Sequence, residues 1–468
     1  MTFNSLQFLI FLPMALIAYY TFPVKRRWVI LLLLSYVFYA GWKLEYLVLI
    51  IYSTLVDYFA SIMIHGTQVK WKRNAWLAVS LVSNFGLLIL FKYFHFLIGG
   101  SEWYRSLADQ SETFLWLQFV FEYGIPVGIS FYTFQTVSYT LDVYHGRSEP
   151  ERNPFKFALF VSFFPQLVAG PIERFSDLHP QLFNSFLPSR ETFRAAFQLM
   201  IYGFFLKMVI ADNIGDIIGP LYLQPRDFDI VSRIGGSLLF GFQIFADFFG
   251  YTLIAIGVAR LFGVKLMDNF RSPYGSYSLR EFWSRWHISL STWFRDYVYI
   301  PLGGNKHSQF RWLTAIILTF GLSGLWHGAS ATFIYWGLFH GMYYLIEQWI
   351  FPVKDKQAMG SGEKIIRWIV TFTAVMCGWL LFRAGKVWVV GQFVSKPGTQ
   401  HLFKAEHLIF LIPFIGFLML ELLFRTKRID RYLENKGAGI RWAIYGFSLI
   451  CTLLFSSRGD MQFIYFQF

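Results

Sequence analysis

Two histidines, His327 and His340, sit in a stretch that holds no Lys, Arg, Asp or Glu: FGLSGLWHGASATFIYWGLFHG, residues 320–341. Each is followed by a glycine. An imidazole can take or give a proton near neutral pH, and a titratable ring in an apolar run needs a physical reason to be there. Gly324 and Gly328 flank His327, and small residues let a second backbone or a substrate chain come close. Trp326 adds a planar wall beside it. Two readings follow for His327: a general base, or a neutral ring that bonds a neighbouring helix. His340 lies about 220° further round a continuous helix. On such a helix the two rings do not share a site unless the chain breaks at Ser330, so His340 reads as structural.

The second concentration of reactive groups is REFWSRWHISLSTWFRDYVYIPLGGN, residues 280–305. It sets Arg285, His287, Ser289, Ser291, Arg295 and Asp296 among Trp and Tyr. A helix starting near Ser278 would put Arg285 and Ser289 on one face, four residues apart, with His287 on another face beside Ser291. The PLGG at 301–304 ends any such helix and permits tight backbone approach. An interfacial amphipathic helix with an aromatic belt is the alternative.

Other polar groups stand singly: Gln135, Asp142 and His145 in 123–147, Gln166 and Glu173 in 160–175, then Asp212, Asp216 and Asp247. Each reads first as a cap or an interhelical bond. Walker, dinucleotide, nucleophile-elbow and zinc-protease motifs are missing from the sequence, and no metal site is expected. Cys377 and Cys451 lie in apolar runs without redox or metal spacing.

These residues need a scaffold, and the composition names it. The chain has 468 residues, 55% hydrophobic and 15% charged, with a mean hydropathy of +0.45. Soluble domains carry closer to ~25% charged residues. Apolar runs long enough to cross a bilayer recur at 5–22, 28–42, 44–64, 75–98, 115–144, 193–212, 235–262, 312–328, 331–350, 365–383, 408–424 and 440–456. The fold class is therefore an all-α polytopic membrane protein with about 11–12 transmembrane helices, read as one membrane domain over 1–468. The runs near 155–175 and 281–303 are interrupted by Pro, Gly and charge. Such re-entrant or interfacial segments are tolerated only where buried in protein or lining a cavity.

The net charge of +13 does not indicate nucleic acid. The cations cluster in short loops, KRR at 25–27, KWKR at 70–73 and RTKRIDR at 425–431, as the positive-inside rule requires. With the N-terminus outside, most Lys and Arg fall in inside loops, while the outside loop 99–113 is net acidic. The first apolar run has no basic residue before it and no A-x-A site, so it reads as a retained helix rather than a signal peptide.

Taken together, REFWSRWHISLSTWFRDYVYIPLGGN, LSGLWHGAS and GLFHG resemble the membrane-bound O-acyltransferase (MBOAT) family. SFYTFQTVSYTLDVY (130–144), FFPQLVAGPIERF (163–175) and the closing FIYFQF are similar to its bacterial branch, which includes a membrane protein of alginate O-acetylation. The resemblance runs from about 120 to the end, with a motif-rich core at about 120–350. It implies a helical bundle around a central tunnel, with a cytoplasmic funnel for an acyl donor and an opening opposite for the acceptor. By the same resemblance His327, in LWHG, matches the family's catalytic histidine, and His287, in RWHIS, matches the second important position of the bacterial branch. Trp283, Arg285, Trp286, Ser289 and Trp326 would wall the tunnel or hold substrate.

The function this implies is O-acyl transfer across the bacterial inner membrane, with acetyl the expected group and acetyl-CoA the expected donor. The final acceptor would be an exported polysaccharide such as alginate, reached through an extracytoplasmic SGNH-type partner. The cationic stretch 260–285 suits the phosphates of such a donor and equally suits inside topology. The rivals are D-alanyl transfer to teichoic acid from a carrier-bound thioester, and a non-enzymatic transporter or scaffold subunit of a glycan-export complex.

Overall fold

The computed structural model describes all residues except 95, 97–123, 169, 185, 307, 352–358, 426, 458–462 and 465–468. The acidic loop 99–113, the first part of the 115–144 span and most of FIYFQF lie outside the described residues. Among those described, the secondary structure is helical, with one isolated β-bridge between Phe228 and Gln400. Seven helices are long and apolar enough to cross a bilayer, and Leu6–Thr21 is a shorter apolar one. Each expected span coincides with a helix over its described part. The contacts divide the chain into two compact units.

The first unit comprises Met1–Ala196 with Val258–Met267. Asp57, fully buried on helix Tyr46–His65, ties three helices together. Its carboxylate accepts from Asn84 (2.8 Å), Thr140 (3.0 Å) and Ser80. A buried carboxylate requires such donors. The segment expected to be broken, 155–175, is broken. Asn153 caps helix Pro154–Ser162, the chain turns extended at Phe163, and a second short helix, Phe164–Leu167, carries Pro165 in its first turn. Proline is tolerated there because that position's N–H has no helical partner. Gln135 donates to the freed carbonyl of Phe160 (2.8 Å) and accepts from Gln166 (3.1 Å). Both glutamines thus serve the break itself.

Glu173 follows that break and is buried, accepting the backbone N–H of Met267 at 2.7 Å. Burial pushes its carboxyl up to about 8.

The second unit comprises Phe197–Gly257 with Asp268–Phe468. Its elements include α1 (Ile230–Leu261, shared at its end with the first unit), α2 (Leu279–Trp283), α3 (Ile288–Phe294), α4 (Gln309–His327), α5 (Ala331–Ile350), α6 (Ser361–Ala384) and α7 (Leu411–Leu423). Gly303 and Gly304 both take positive φ between α3 and α4, the conformation that PLGG was expected to permit. Helices α4 and α5 form an antiparallel hairpin. Ser330 breaks the chain between them and accepts the N–H of Thr332 to cap α5. At the crossing, a Cβ on Gly324 would lie 2.2 Å from the Phe333 carbonyl oxygen, and one on Gly337 would lie 2.2 Å from that of Phe320.

Arg428 and Arg431 of the basic 425–431 segment pair with Asp268, and Arg425 donates to Tyr277 (3.0 Å). Both stretches are ones that the charge bias expects inside. At the other end, Ser330 donates to the Gly385 carbonyl, and the buried Arg233 donates to the carbonyls of Gln392 and Ser395, both at 2.8 Å.

Two tests follow. Gly324→Ala forces a methyl group into backbone that cannot yield, so it should destabilise by about 1–3 kcal/mol or more. Gly321→Ala meets only the Leu338 side chain at 3.6 Å and should be near neutral; melting of both in detergent checks this. For Glu173 the folded value of about 8 lies above the unfolded ~4.3. Its contribution is therefore full below about pH 4 and lost as pH rises through about 8. Wild type should lose more melting temperature between pH 6 and 9 than Glu173→Gln does.

Candidate functional site

The site is built on a corner at residues 284–289. Ser278 caps α2 by accepting the Glu281 N–H (3.1 Å), as its position suggested, but that helix stops at Trp283. The chain then turns, and His287 adopts a left-handed φ of 42° before α3 starts. A non-glycine residue there is strained, at a cost of order 1–3 kcal/mol, and persists only when its surroundings hold it. Asn269 does the holding. Its backbone carbonyl accepts the Ile288 N–H (3.0 Å). Its side-chain oxygen accepts the Ser289 N–H (3.2 Å) and the Ser289 hydroxyl (2.9 Å) and lies 3.2 Å from His287 Nδ1.

That arrangement sets the tautomer of His287. The Ser289 N–H can only donate, so the atom it meets is the amide oxygen. His287 Nδ1 must then carry the proton that it shares with this oxygen, which leaves Nε2 as the lone-pair nitrogen of the neutral ring. Both His287 and Ser289 are buried. Phe248 stands perpendicular to the imidazole at 4.6 Å.

The hairpin supplies the other half. His327 is the last residue of α4 and is buried, its ring 5.0 Å from Trp326, 5.0 Å from Trp336 and 5.1 Å from Phe382. Trp326 also meets the His287 ring at 6.1 Å. The two histidines, forty residues apart in sequence, thus flank one indole. Trp286 packs on Trp379 at 4.7 Å, Trp379 on Trp336 at 6.1 Å, and Trp283 on Trp336 at 5.6 Å. The walls around the histidine pair are therefore almost wholly aromatic.

Two sequence-based expectations change here. Arg285 and Ser289 do not share a helix face, because the corner at His287 separates them. Ser289 turns into the protein, whereas Arg285 pairs with Glu281 at 2.6 Å and donates to the Ser272 carbonyl at 3.4 Å. No contact joins Arg285 to the histidines among the described residues. His340 does approach the site, since the break at Ser330 occurs: its ring lies 5.0 Å from Trp336 and 5.2 Å from Trp283. It is one indole, Trp336, removed from His327.

The single carboxylates resolve into supports. Asp212 and Asp247 both pair with the buried Lys207, at 2.6 and 2.9 Å, and Asp247 also accepts the Ile464 N–H (2.7 Å). Asp216 accepts from Ser457 at 2.6 Å. Asp142 pairs with Arg147 (3.3 Å), and His145 bonds the Leu141 carbonyl (2.8 Å). Sequence reasoning missed Asn269, Lys207, Trp336 and Trp379. Asn269 precedes His287 by eighteen residues in a polar loop, and no spacing rule connects them.

A family model for the membrane-bound O-acyltransferases matches residues 151–384, which contain both histidines and the whole hairpin. The chain belongs to the MBOAT family. It is 38% identical to a probable alginate O-acetylase of Pseudomonas aeruginosa over 411 residues, covering 86% of this chain and 76% of the relative. A peptidoglycan O-acetyltransferase of Helicobacter pylori is 34% identical over 417 residues, covering 82% and 77%. A teichoic acid D-alanyltransferase of Bacillus subtilis is 29% identical over 271 residues, covering 55% and 68%. This MBOAT chain is thus a multi-pass membrane O-acyltransferase, the class of enzyme that its motifs resemble.

Asn269 offers a test that separates positioning from bulk packing. Asn269→Ala removes the acceptor of three donors and should cost about 1–3 kcal/mol of local order. Acyl transfer should fall roughly tenfold or more, since each ~1.4 kcal/mol of lost positioning is a factor of ten. Asn269→Asp keeps the accepting oxygen and should recover most of the rate, measured at matched amounts of folded protein.

Proposed function

We propose that this MBOAT enzyme moves an acetyl group from acetyl-CoA on the cytoplasmic side of the inner membrane toward an exported polysaccharide. The observation that carries the reading is the buried line His287–Trp326–His327, in which the two histidines of the RWHIS and LWHG motifs share an apolar, aromatic hull. In its neutral form His327 takes the proton of the acceptor hydroxyl. The oxygen attacks the thioester carbonyl, the C–S bond breaks, and the thiolate leaves and is protonated. His287, with Nδ1 committed to Asn269, directs Nε2 at the other reactant. Trp283, Trp286 and Trp326 wall the path and exclude water. Trp336 and Trp379 join them.

Arg271, Lys427 and Arg431 surround a small inner-face cavity of about 90 Å³. They leave net positive charge beside the paired Asp268, which suits the phosphates of a coenzyme A donor. Acetyl is favoured over D-alanyl because the O-acetylating relatives match over 82–86% of the chain and the D-alanyltransferases over 55%. Alginate and peptidoglycan, named for those relatives, mark the acceptor class as an exported glycan. A separate extracytoplasmic SGNH-type protein completes the transfer.

The test is transfer from labelled acetyl-CoA by purified protein in vesicles. Wild type should transfer label to partner, glycan or water. His327→Ala, eluting as folded protein, should fall by about 10²–10⁴-fold, the span of a lost acid–base group. Equal turnover in both would remove His327 from the chemistry. Turnover only with a charged carrier protein would replace coenzyme A by a carrier thioester.

A further inference from the structure

A large apolar cavity in the second unit lies away from the histidines. It is a groove of about 610 Å³ between the middle of α1, the first half of α6 and the second half of α7, closed on one side by the 272–277 loop. That volume is on the scale of a binding site, ~300–1,000 Å³. Phe242, Phe245, Phe372 and Phe417 line its depth. Ile365, Trp368 and Leu422 form an open edge, are exposed, and belong to helices long and apolar enough to cross the bilayer. The opening therefore faces hydrocarbon rather than water. Trp368 donates its indole N–H to the Tyr274 carbonyl (2.9 Å), the posture of an interfacial tryptophan.

The polar groups gather at one end. Lys364 starts α6 and Arg425 follows α7, and both line the cavity. Among the described residues neither side chain is paired with a carboxylate; the Arg425 guanidinium donates to the Tyr277 hydroxyl. Glu421 also lines the groove, with its carboxylate accepting from the Tyr202 hydroxyl at 2.8 Å. This end is level with the basic 425–431 segment, which the charge bias places on the cytoplasmic side.

We infer that the groove is a binding site for an inner-leaflet phospholipid with an anionic headgroup, its phosphate on Lys364 and Arg425 and an acyl chain along the phenylalanines. Basic pockets between membrane helices on the cytoplasmic side recognise such headgroups, and an open hydrocarbon-facing edge admits a chain without passage through water. The back of the groove, Phe245 and Tyr274, touches Trp286 at 6.1 and 6.0 Å. A bound chain would rest one aromatic layer behind the His287 corner. The site stands independently of which acyl donor the enzyme uses.

The test is native mass spectrometry of full-length protein in detergent with equal phosphatidylglycerol and phosphatidylcholine. Wild type should retain one phosphatidylglycerol with a preference of roughly tenfold, as two membrane-facing cations allow. Lys364→Gln with Arg425→Gln should abolish the preference while some lipid is still retained. Leu418→Trp, which fills the groove, should lose both lipids while eluting as folded protein. Equal retention of the two lipids by wild type would overturn the inference, as would an undiminished preference in the double variant. Displacement of the lipid by acetyl-CoA would assign the groove to the donor and overturn it too.

Discussion

The crossing of α4 and α5 at Gly324 and Gly337 is the contact on which the histidine site depends. Each glycine lies against the backbone of the other helix, with their Cα regions so close that no side chain fits between. In a bilayer no solvent-driven hydrophobic effect pushes helices together, so close backbone packing must supply much of the attraction. With the crossing made, His327 ends α4 beside Trp336 of α5, and His340 meets the same indole. The helical geometry that separates the two histidines on a continuous rod is reversed by one turn at Ser330.

The second constraint is the price of an interrupted backbone inside a membrane protein. Every polar group released by a break must find a partner. In the first unit Gln135 and Gln166 meet that demand at the Phe163 break. In the second unit Asn269 meets it at His287 and does more, because the bond that satisfies the backbone also orients a ring and selects its tautomer. Strain at φ 42° is thus tied to the atom whose orientation matters.

The remaining intramembrane charges follow the same economy of partners. Lys207 gathers Asp212 and Asp247, Asp57 gathers three donors, and Arg233 spans several carbonyls. These clusters hold helices and loops in place. The surroundings of Asp268 and Glu421 differ: the cations there outnumber the carboxylates that they meet, which leaves charge available for an anionic ligand.

Apolar runs and interrupting Pro and Gly by themselves determined the helical class, the positions of the helices and both broken segments. These are local properties, set by the length and polarity a bilayer demands. The pairing of LWHG with RWHIS likewise marked the two histidines before any coordinates, and Gly324 announced a close approach. What the sequence did not contain was the partner of each. Asn269 as the clamp of His287, Gly337 as the mate of Gly324, and Trp336 between His327 and His340 join positions with no fixed spacing. The misplacement of Arg285 has the same origin: a helical wheel extends a helix until something stops it, and what stops α2 is a contact from a loop outside it. Only the tertiary structure decides such contacts, because they depend on where separate helices cross rather than on the residues along any one of them.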